Sequence, residues 1–453
     1  MNTPICDFIN QYVKKDALRL HMPGHKGKEQ LGFEKYDITE IVGADSLYHA
    51  NGIIMESEKN ATALFGSGGT FYSTEGSSHV IRAMLYLAKV YSGQNNGYVL
   101  AGRNAHSSFI SACVLNDLDV EWIYPNKESS YLSCIITEEK LENALSRVDK
   151  MPICVYVTSP DYLGNMCNIE GLAQVCEKHG TMLVVDNAHG SYLKFSIKDM
   201  HPISLGATMC CDSAHKTLPV LTGGAYLHIG KNAPEFFRQN AKQALSLFGS
   251  TSPSYLTLAS LDNANKYIAN GYKEKLQKFE ASLNNALSDF LYYSSEMELL
   301  HSFFSLREPL KLVFDVKKFG YWGGDFAKIL EEHGVICEFF DDDYLVLMPS
   351  LENGIDEIRK LFRILSSIET KAPLSCEKIT VAHPKKKMSV RQAAYMPREQ
   401  ISVESALGRT LATSSISCPP AVSLIVCGEV FDEGTIALSK KYGIDHVFVV
   451  KDE

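Results

Sequence analysis

Asp212-Ser213-Ala214-His215-Lys216-Thr217 lies between two segments of different character. Before it, Gly206-Ala207-Thr208-Met209-Cys210-Cys211 is short and half apolar and reads as a strand. After it, Leu218-Pro219-Val220-Leu221-Thr222-Gly223-Gly224-Ala225 is too rich in Gly and Pro for a helix. Lys216 is therefore expected on a loop between two strands. Alone, such a lysine is an ordinary solvated cation. Its company argues otherwise. Upstream, Thr181-Met182-Leu183-Val184-Val185 reads as a buried strand that delivers Asp186 at its carboxyl end. In an open α/β sheet that end is where ligands bind.

A strand-end aspartate with a loop lysine is what a pyridoxal phosphate site requires. The lysine carries the cofactor as a Schiff base. The carboxylate keeps the pyridine nitrogen protonated, so that the ring accepts electrons. Moving outward, other strand ends bring polar groups to the same rim. Phe71-Tyr72-Ser73-Thr74 leads into Glu75-Gly76-Ser77-Ser78, and a helix follows over Val80–Tyr91. A Gly-Ser-Ser turn opening a helix offers backbone N–H groups and hydroxyls to an anion. The plainer reading is an N-cap supplied by serine. Tyr98-Val99-Leu100-Ala101 is a strand followed by Gly102-Arg103-Asn104-Ala105-His106-Ser107-Ser108. His106 is either structural or placed to stack on an aromatic cofactor. Ile153-Cys154-Val155-Tyr156-Val157 is a strand ending in Thr158-Ser159-Pro160-Asp161-Tyr162-Leu163-Gly164, and Ile169–Lys178 is a helix. Ala225–Ile229 is a return strand. The alternation predicts an α/β fold, a mostly parallel sheet with helices on both faces.

The 453 residues allow two or three domains with a sizeable core. A hydrophobic fraction of 45% and a charged fraction of 21% describe a folded globular chain. A net charge of −9 argues against a nucleic-acid surface. The twelve cysteines form no Cys-x-x-Cys pair, so neither a zinc ribbon nor a disulfide scaffold is expected, and a reducing cytoplasm fits them best. The start, Met1-Asn2-Thr3-Pro4-Ile5-Cys6-Asp7, does not look like a signal peptide. No apolar run approaches the roughly 20 residues of a membrane helix. His21 and His25 are spaced like zinc ligands on a helix, but Pro23 and Gly24 forbid that helix, so no metal site is expected.

Along the chain, residues 1–60 read as an amino-terminal segment with a helix near Phe8–Val13 and another over Ile53–Leu64. Residues 61–305 read as a large cofactor-binding domain. It closes with helices in 231–247, the hydroxyl-rich turn Gly249-Ser250-Thr251-Ser252-Pro253-Ser254-Tyr255, and one long helical stretch, Leu256 to about Tyr292. Residues 306–370 read as a small α+β domain, with strands at Lys311–Asp315, Ile336–Phe340 and Tyr344–Met348 and helices at Asp325–His333 and Ile355–Ile368. Residues 371–387 form a linker, and 388–453 a C-terminal domain ending in the strand His446–Val450.

These residues together resemble the Orn/Lys/Arg decarboxylases of the aspartate-aminotransferase fold type (fold type I), in particular their short bacterial form. The resemblance is carried by His21-Met22-Pro23-Gly24-His25-Lys26-Gly27, Glu75-Gly76-Ser77-Ser78, Arg103-Asn104-Ala105-His106 and Thr158-Ser159-Pro160-x-Tyr162-x-Gly164. It continues in Asp186-x-Ala188-His189-Gly190, Ser213-x-His215-Lys216-Thr217 and Ser250-Thr251-Ser252-Pro253-Ser254-Tyr255. The long form's amino-terminal receiver-like domain is expected to have no counterpart. The resemblance implies that Lys216 binds pyridoxal 5′-phosphate covalently, that Asp186 meets its pyridine nitrogen and that His106 stacks on its ring. Gly76, Ser77, Ser78, Ser213 and His215 would surround the phosphate, with Thr251 and Ser252 reaching the phosphate of a neighbouring subunit. His189 would support Asp186. A homodimer or larger assembly follows.

Two departures stand out. The family has Lys after the stacking histidine, where this chain has Ser107. The family's Pro-Tyr-Pro-Pro-Gly-x-Pro stretch is here Ser417-Cys418-Pro419-Pro420-Ala421-Val422-Ser423. The implied reaction is α-decarboxylation of a basic amino acid, lysine, arginine or ornithine, giving a diamine or agmatine as in polyamine synthesis. Lys216 or His215 would protonate Cα. Asp45, Asp161, Glu399 and Glu404 are candidates to meet the substrate's cationic side chain. The rivals are another pyridoxal phosphate reaction on the same fold, and a homologue that binds cofactor without catalysis.

Overall fold

A computed structural model of the chain describes residues 1–126, 129–293, 306–375, 383–418 and 421–452. Pro419 and Pro420 of the altered stretch lie outside the described residues, as does 376–382 of the expected linker. The chain divides into two compact units. The first is Met1–Gly97, Lys150–Tyr156 and Ile169–Lys273. The second is Tyr98–Asp149, Val157–Asn168 and Glu274–Glu453.

In chain order the first elements are α1 (Pro4–Lys14), α2 (Ile53–Phe65), β1 (Gly69–Ser73), α3 (Gly76–Ser92), β2 (Tyr98–Gly102), α4 (Ser107–Asn116), β3 (Asp119–Ile123), α5 (Glu138–Leu145), β4 (Cys154–Thr158), α6 (Ile169–Lys178) and β5 (Leu183–Asp186). Then come β6 (Met209–Asp212), α7 (Ala214–Thr217), β7 (Ala225–Ile229), α8 (Glu235–Ser246), α9 (Tyr255–Ala269) and α10 (Tyr272–Tyr293). The strands form a seven-stranded sheet in the order β1-β7-β6-β5-β4-β2-β3. β5 and β6 run parallel, as do β2 and β3, while β7 is antiparallel to both β6 and β1. The return of β7 has a local cause: only a short connection separates it from β6, and a parallel neighbour would need a crossover. This is the mainly parallel α/β sheet that the alternating pattern predicts.

The strands of the first unit are short and apolar because both faces are covered. Every residue of β5, β6 and β7 is buried. α3 buries Val80, Ile81, Met84, Leu85, Leu87 and Ala88, the i, i+3, i+4 pattern of a helix on a sheet. The expected single helix from Leu256 is two helices, α9 and α10, broken where Gly271 takes φ +80°. In the second unit, β8 (Leu312–Asp315), β9 (Phe339–Phe340) and β10 (Tyr344–Leu347) form a sheet in the order β8-β10-β9. The expected strand at Ile336–Phe340 is thus confined to its last two residues. α11 (Gly323–Glu332) and α12 (Gly354–Ser367) follow the expected helices closely. Beyond them lie α13 (Val390–Tyr395), β11 (Arg398–Ser402), the hairpin of β12 (Ser415–Cys418) and β13 (Val422–Val426), α14 (Glu433–Lys441), and β14 (His446–Val450) paired with β11.

No helix among the described residues is long and apolar enough to cross a membrane. The described cysteines are free, and Cys154, Cys167, Cys210 and Cys211 are buried.

Candidate active site

Parallel pairing of β5 with β6 sets Asp186 opposite Cys211, so Asp186, Asp212 and Ser213 emerge at one sheet edge. Lys216 follows directly. It lies in α7, a single helical turn rather than the expected open loop. The turn stops because Leu218 precedes Pro219 and is extended, at φ −117° and ψ 157°. Lys216 Nζ lies 2.9 Å from His189 Nε2. His189, expected in support of Asp186, has its Nε2 against the lysine amine.

His215 donates from Nδ1 to the Gly224 carbonyl at 3.0 Å. Burial holds its pKa below the usual 6.5, with the neighbouring Lys216 charge acting in the same direction. The ring is then neutral with its proton on Nδ1, which leaves Nε2 as an acceptor.

Asp186 is 3% exposed. Its carboxylate accepts the Tyr156 hydroxyl at 3.0 Å, the Ala188 amide at 3.1 Å and the Cys211 thiol at 3.4 Å. Among the described residues it has no ion-pair partner. A carboxylate so deeply buried without a cation is costly. A protonated pyridine nitrogen would supply the missing charge, so the residues present fit the cofactor.

The anion end fits as well. The N-cap of α3 is Glu75, not a serine, and no side chain caps that end. The Glu75 carboxylate turns instead to accept the Ser250 amide at 2.6 Å. Gly76, at φ +74°, donates its N–H to the Gly223 carbonyl at 2.7 Å. The two loops approach so closely that a Cβ at Gly223 would stand 2.6 Å from the Thr74 carbonyl oxygen. Ser213 and Ser77 hydroxyls lie 2.9 Å apart beside the uncapped turn. Ser77, Ser78 and Ser213 thus form a cup of donors at a helix N-terminus, with the Gly76 N–H already given to Gly223. Thr251 and Ser252 are exposed. Ser252 does not cap α9; Ser254 does, accepting the Thr257 amide at 3.3 Å.

Beneath the cup lies a network that the motifs did not reveal. The Asp212 carboxylate, fully buried, accepts Asn187 Nδ2 at 2.7 Å, His201 Nε2 at 2.9 Å and His228 Nε2 at 3.2 Å. His228 Nδ1 lies 2.8 Å from the Thr70 hydroxyl. Both imidazoles donate to the carboxylate, which holds its pKa well below the usual carboxylate range, while burial keeps His228 neutral. Among the described residues, His201, Cys210 and Asp212 could together hold a metal ion. The aspartate is already committed to three donors. Tyr156 and Asp212 were both open to detection: each is a polar-tipped residue in or at the end of an otherwise apolar strand.

In the second unit His106 is the N-cap of α4. Its Nδ1 accepts the Ser108 amide at 3.1 Å and lies 2.8 Å from the Ser108 hydroxyl, so the ring is held in one rotation. The four acids proposed for the substrate's side chain are each engaged within the chain. Asp45 accepts the backbone N–H groups of Ser46, Asn51, Gly52 and Ile54 at the start of α2. Asp161, 2% exposed, accepts the Leu163 and Asn165 amides. Glu399 pairs with Arg409 at 2.6 Å and Glu404 with Lys440 at 2.5 Å. His21 and His25 have separate partners, Tyr12 and Asp37, and lie in a turn.

Residues 3–305 match the family model of the Orn/Lys/Arg decarboxylase major domain. The chain is similar to an arginine decarboxylase of Halalkalibacterium halodurans, 29% identical over 465 residues, which cover 96% of this chain and 92% of that protein. It superposes on a lysine decarboxylase of Francisella novicida with a TM-score of 0.79 at 16% identity, covering 99% of this chain and 81% of the other. The constitutive lysine decarboxylase of Escherichia coli gives 0.78 at 18% identity, covering 99% and 82%. At such identities these two likenesses speak for the fold, and it is the fold type I expected from the motifs.

Proposed function

The chain belongs to the Orn/Lys/Arg decarboxylase family, and from that premise we propose that it is a pyridoxal phosphate-dependent enzyme removing the α-carboxylate of lysine, arginine or ornithine. The observation that carries this reading is Asp186, a buried carboxylate with no cationic partner among the described residues, at the sheet edge that also presents Lys216 and His189. The bound cofactor supplies an electron sink for the pair left behind when the Cα–carboxylate bond breaks.

The chain's own residues do the rest. Lys216 holds the cofactor, and Asp186 fixes the proton on the pyridine nitrogen. The uncapped N-terminus of α3, with Ser77, Ser78 and Ser213, binds the phosphate. His106 packs against the ring in this reading. Lys216 or His215 returns a proton to Cα; for His215, Nε2 is the ring atom not engaged with Gly224, and it takes up a proton before it gives one. His189, against Lys216 Nζ, takes or supplies the proton that the lysine exchanges. The products are carbon dioxide and a diamine or agmatine. Thr251 and Ser252 serve a neighbouring subunit's phosphate in a homodimer that works in the cytoplasm. The acid that meets the substrate's side chain is then sought on that neighbour, since Asp45 and Asp161 are saturated by their own backbone donors.

Purified, cofactor-loaded protein incubated with lysine, arginine and ornithine, with carbon dioxide and amine both measured, tests the reading. Release of carbon dioxide and the matching amine from one of them is expected. Keto acid without carbon dioxide, or no turnover of any of the three, overturns it.

A further inference from the structure

The turn that carries His106 is held from the C-terminal end of the chain, by residues of the same unit. Ser107 donates its N–H to the Ala421 carbonyl at 2.9 Å. His106 and Val422 form an isolated antiparallel bridge. The Arg103 guanidinium donates to the Ser423 carbonyl at 2.7 Å, to the Leu424 carbonyl at 3.1 Å and to the Glu429 carboxylate at 3.2 Å. Glu429 also accepts the Val426 amide at 2.9 Å. Arg103 and Glu429 are each 3% exposed, and the guanidinium lies 4.9 Å over the Trp122 ring.

A buried guanidinium needs its carboxylate. It does not need two backbone carbonyls of one strand as well. Here the fork is used to grip β13 at the residues that run beside His106. The grip acts on both degrees of freedom of the histidine. β13 fixes its backbone, and Ser108 fixes its ring. Moreover, Ser107 and Ala421, one from each of the two departures from the family pattern, are joined by one backbone hydrogen bond. The altered C-terminal stretch is therefore not a decayed appendage.

We propose that β13, with Ala421 just before it, is a positioning element of the active site, holding the turn that presents His106 through Ser107, Arg103 and Glu429. The proposal rests on the reading of His106 as the cofactor's ring partner.

The test is a comparison of Ser107→Pro with Ser107→Ala in the full, cofactor-loaded chain. Both remove the hydroxyl, and only proline removes the N–H given to Ala421. Proline suits the backbone at this position, and its Cδ, standing where the hydrogen pointed, pushes the Ala421 carbonyl away. Position 107 is the first of α4, and His106 is already extended at φ −63° and ψ 150°, as a residue before proline must be. Visible circular dichroism of the bound cofactor, kcat, KM and melting temperature are read. The proline variant is expected to lose cofactor ellipticity and about a hundredfold in kcat relative to the alanine variant, with the melting temperature of the two alike. Should the proline variant fail to fold, Arg103→Lys carries the same comparison, since it keeps the buried charge and loses the fork. Equal ellipticity and equal kcat in the two variants overturn the proposal. His106→Ala is measured alongside. If it too leaves ellipticity unchanged, the reading of His106 falls and the proposal with it; if it alone lowers ellipticity, only the clamp falls.

Discussion

Lys216 Nζ stands 2.9 Å from His189 Nε2, so the lysine amine has an imidazole within direct proton-transfer distance. Two variants separate their roles. Lys216→Ala is expected to abolish the visible absorption of the cofactor-loaded protein, because no covalent link can form. A yellow Lys216→Ala protein with cofactor still bound to the chain would sink the assignment. His189→Leu is expected to keep the colour and lose about a hundredfold in kcat. Wild-type turnover in that variant would reduce His189 to packing.

Asp186→Asn is nearly isosteric and removes the charge proposed to stand opposite the pyridine nitrogen. Turnover should fall about a hundredfold or more while the fold survives. Thermal melting and steady-state kinetics on one preparation check this. Retained turnover means that Asp186 is not the pyridine partner.

Acid should unfold the protein in two stages. His228 is held neutral by burial, below its usual 6.5. A base with a depressed folded pKa contributes stability above its unfolded value, and loses it as pH falls through the window below about 6.5. Asp212 follows the same sign: its depressed carboxyl stabilises above the ordinary value of 3.8 and ceases to do so as pH falls below that. Denaturant unfolding from pH 7 to 3 should show both losses. Asp212→Asn should cost about 3–5 kcal/mol at pH 7 and remove the lower-pH stage. An unchanged acid profile would show that Asp212 is not the charged hub.

Ala421 takes φ +70°, where a Cβ is unfavourable. Ala421→Gly should therefore stabilise the protein by about 1 kcal/mol, seen as a higher melting temperature. A lower melting temperature would mean that the alanine side chain contributes more by packing than its backbone costs.

Thr251→Ala combined with Ser252→Ala should weaken cofactor binding and leave stability nearly unchanged, because both residues are exposed and neither caps α9. If the turn serves a neighbour's phosphate, cofactor should also tighten the dimer. Sedimentation of apo and loaded protein across a dilution series measures both. A monomer turning over at full rate rules the shared site out.

The strand ends were legible because each is a short apolar run stopped by a polar residue, and Asp186 and Lys216 inherit their positions from that pattern. Two helices in residues 107–150 were silent for opposite reasons: α5 buries only Leu141 and Leu145, too thin a stripe to mark a helix by itself, while α4 is buried nearly all round and shows no polar face to set a period. Partners across the chain were not legible at all. Nothing in the spacing shows that Glu75 turns to Ser250, that Asp45 is used up on four amides, or that Asp212 gathers Asn187, His201 and His228. Side-chain direction and long-range pairing decide those, and neither has a local period.

The buried thiols give the sheet its own clock. Cys210 and Cys211 sit in β6, sealed from solvent, with burial raising both far above a free thiol's pKa. Only the thiolate attacks an alkylating reagent, so neither sulfur reacts until the strand leaves the sheet. Cys211 touches Asp186. Its alkylation rate therefore times the opening of the strand edge proposed to carry the cofactor, and the slowing of that rate by added cofactor would report how firmly ligand and sheet are joined.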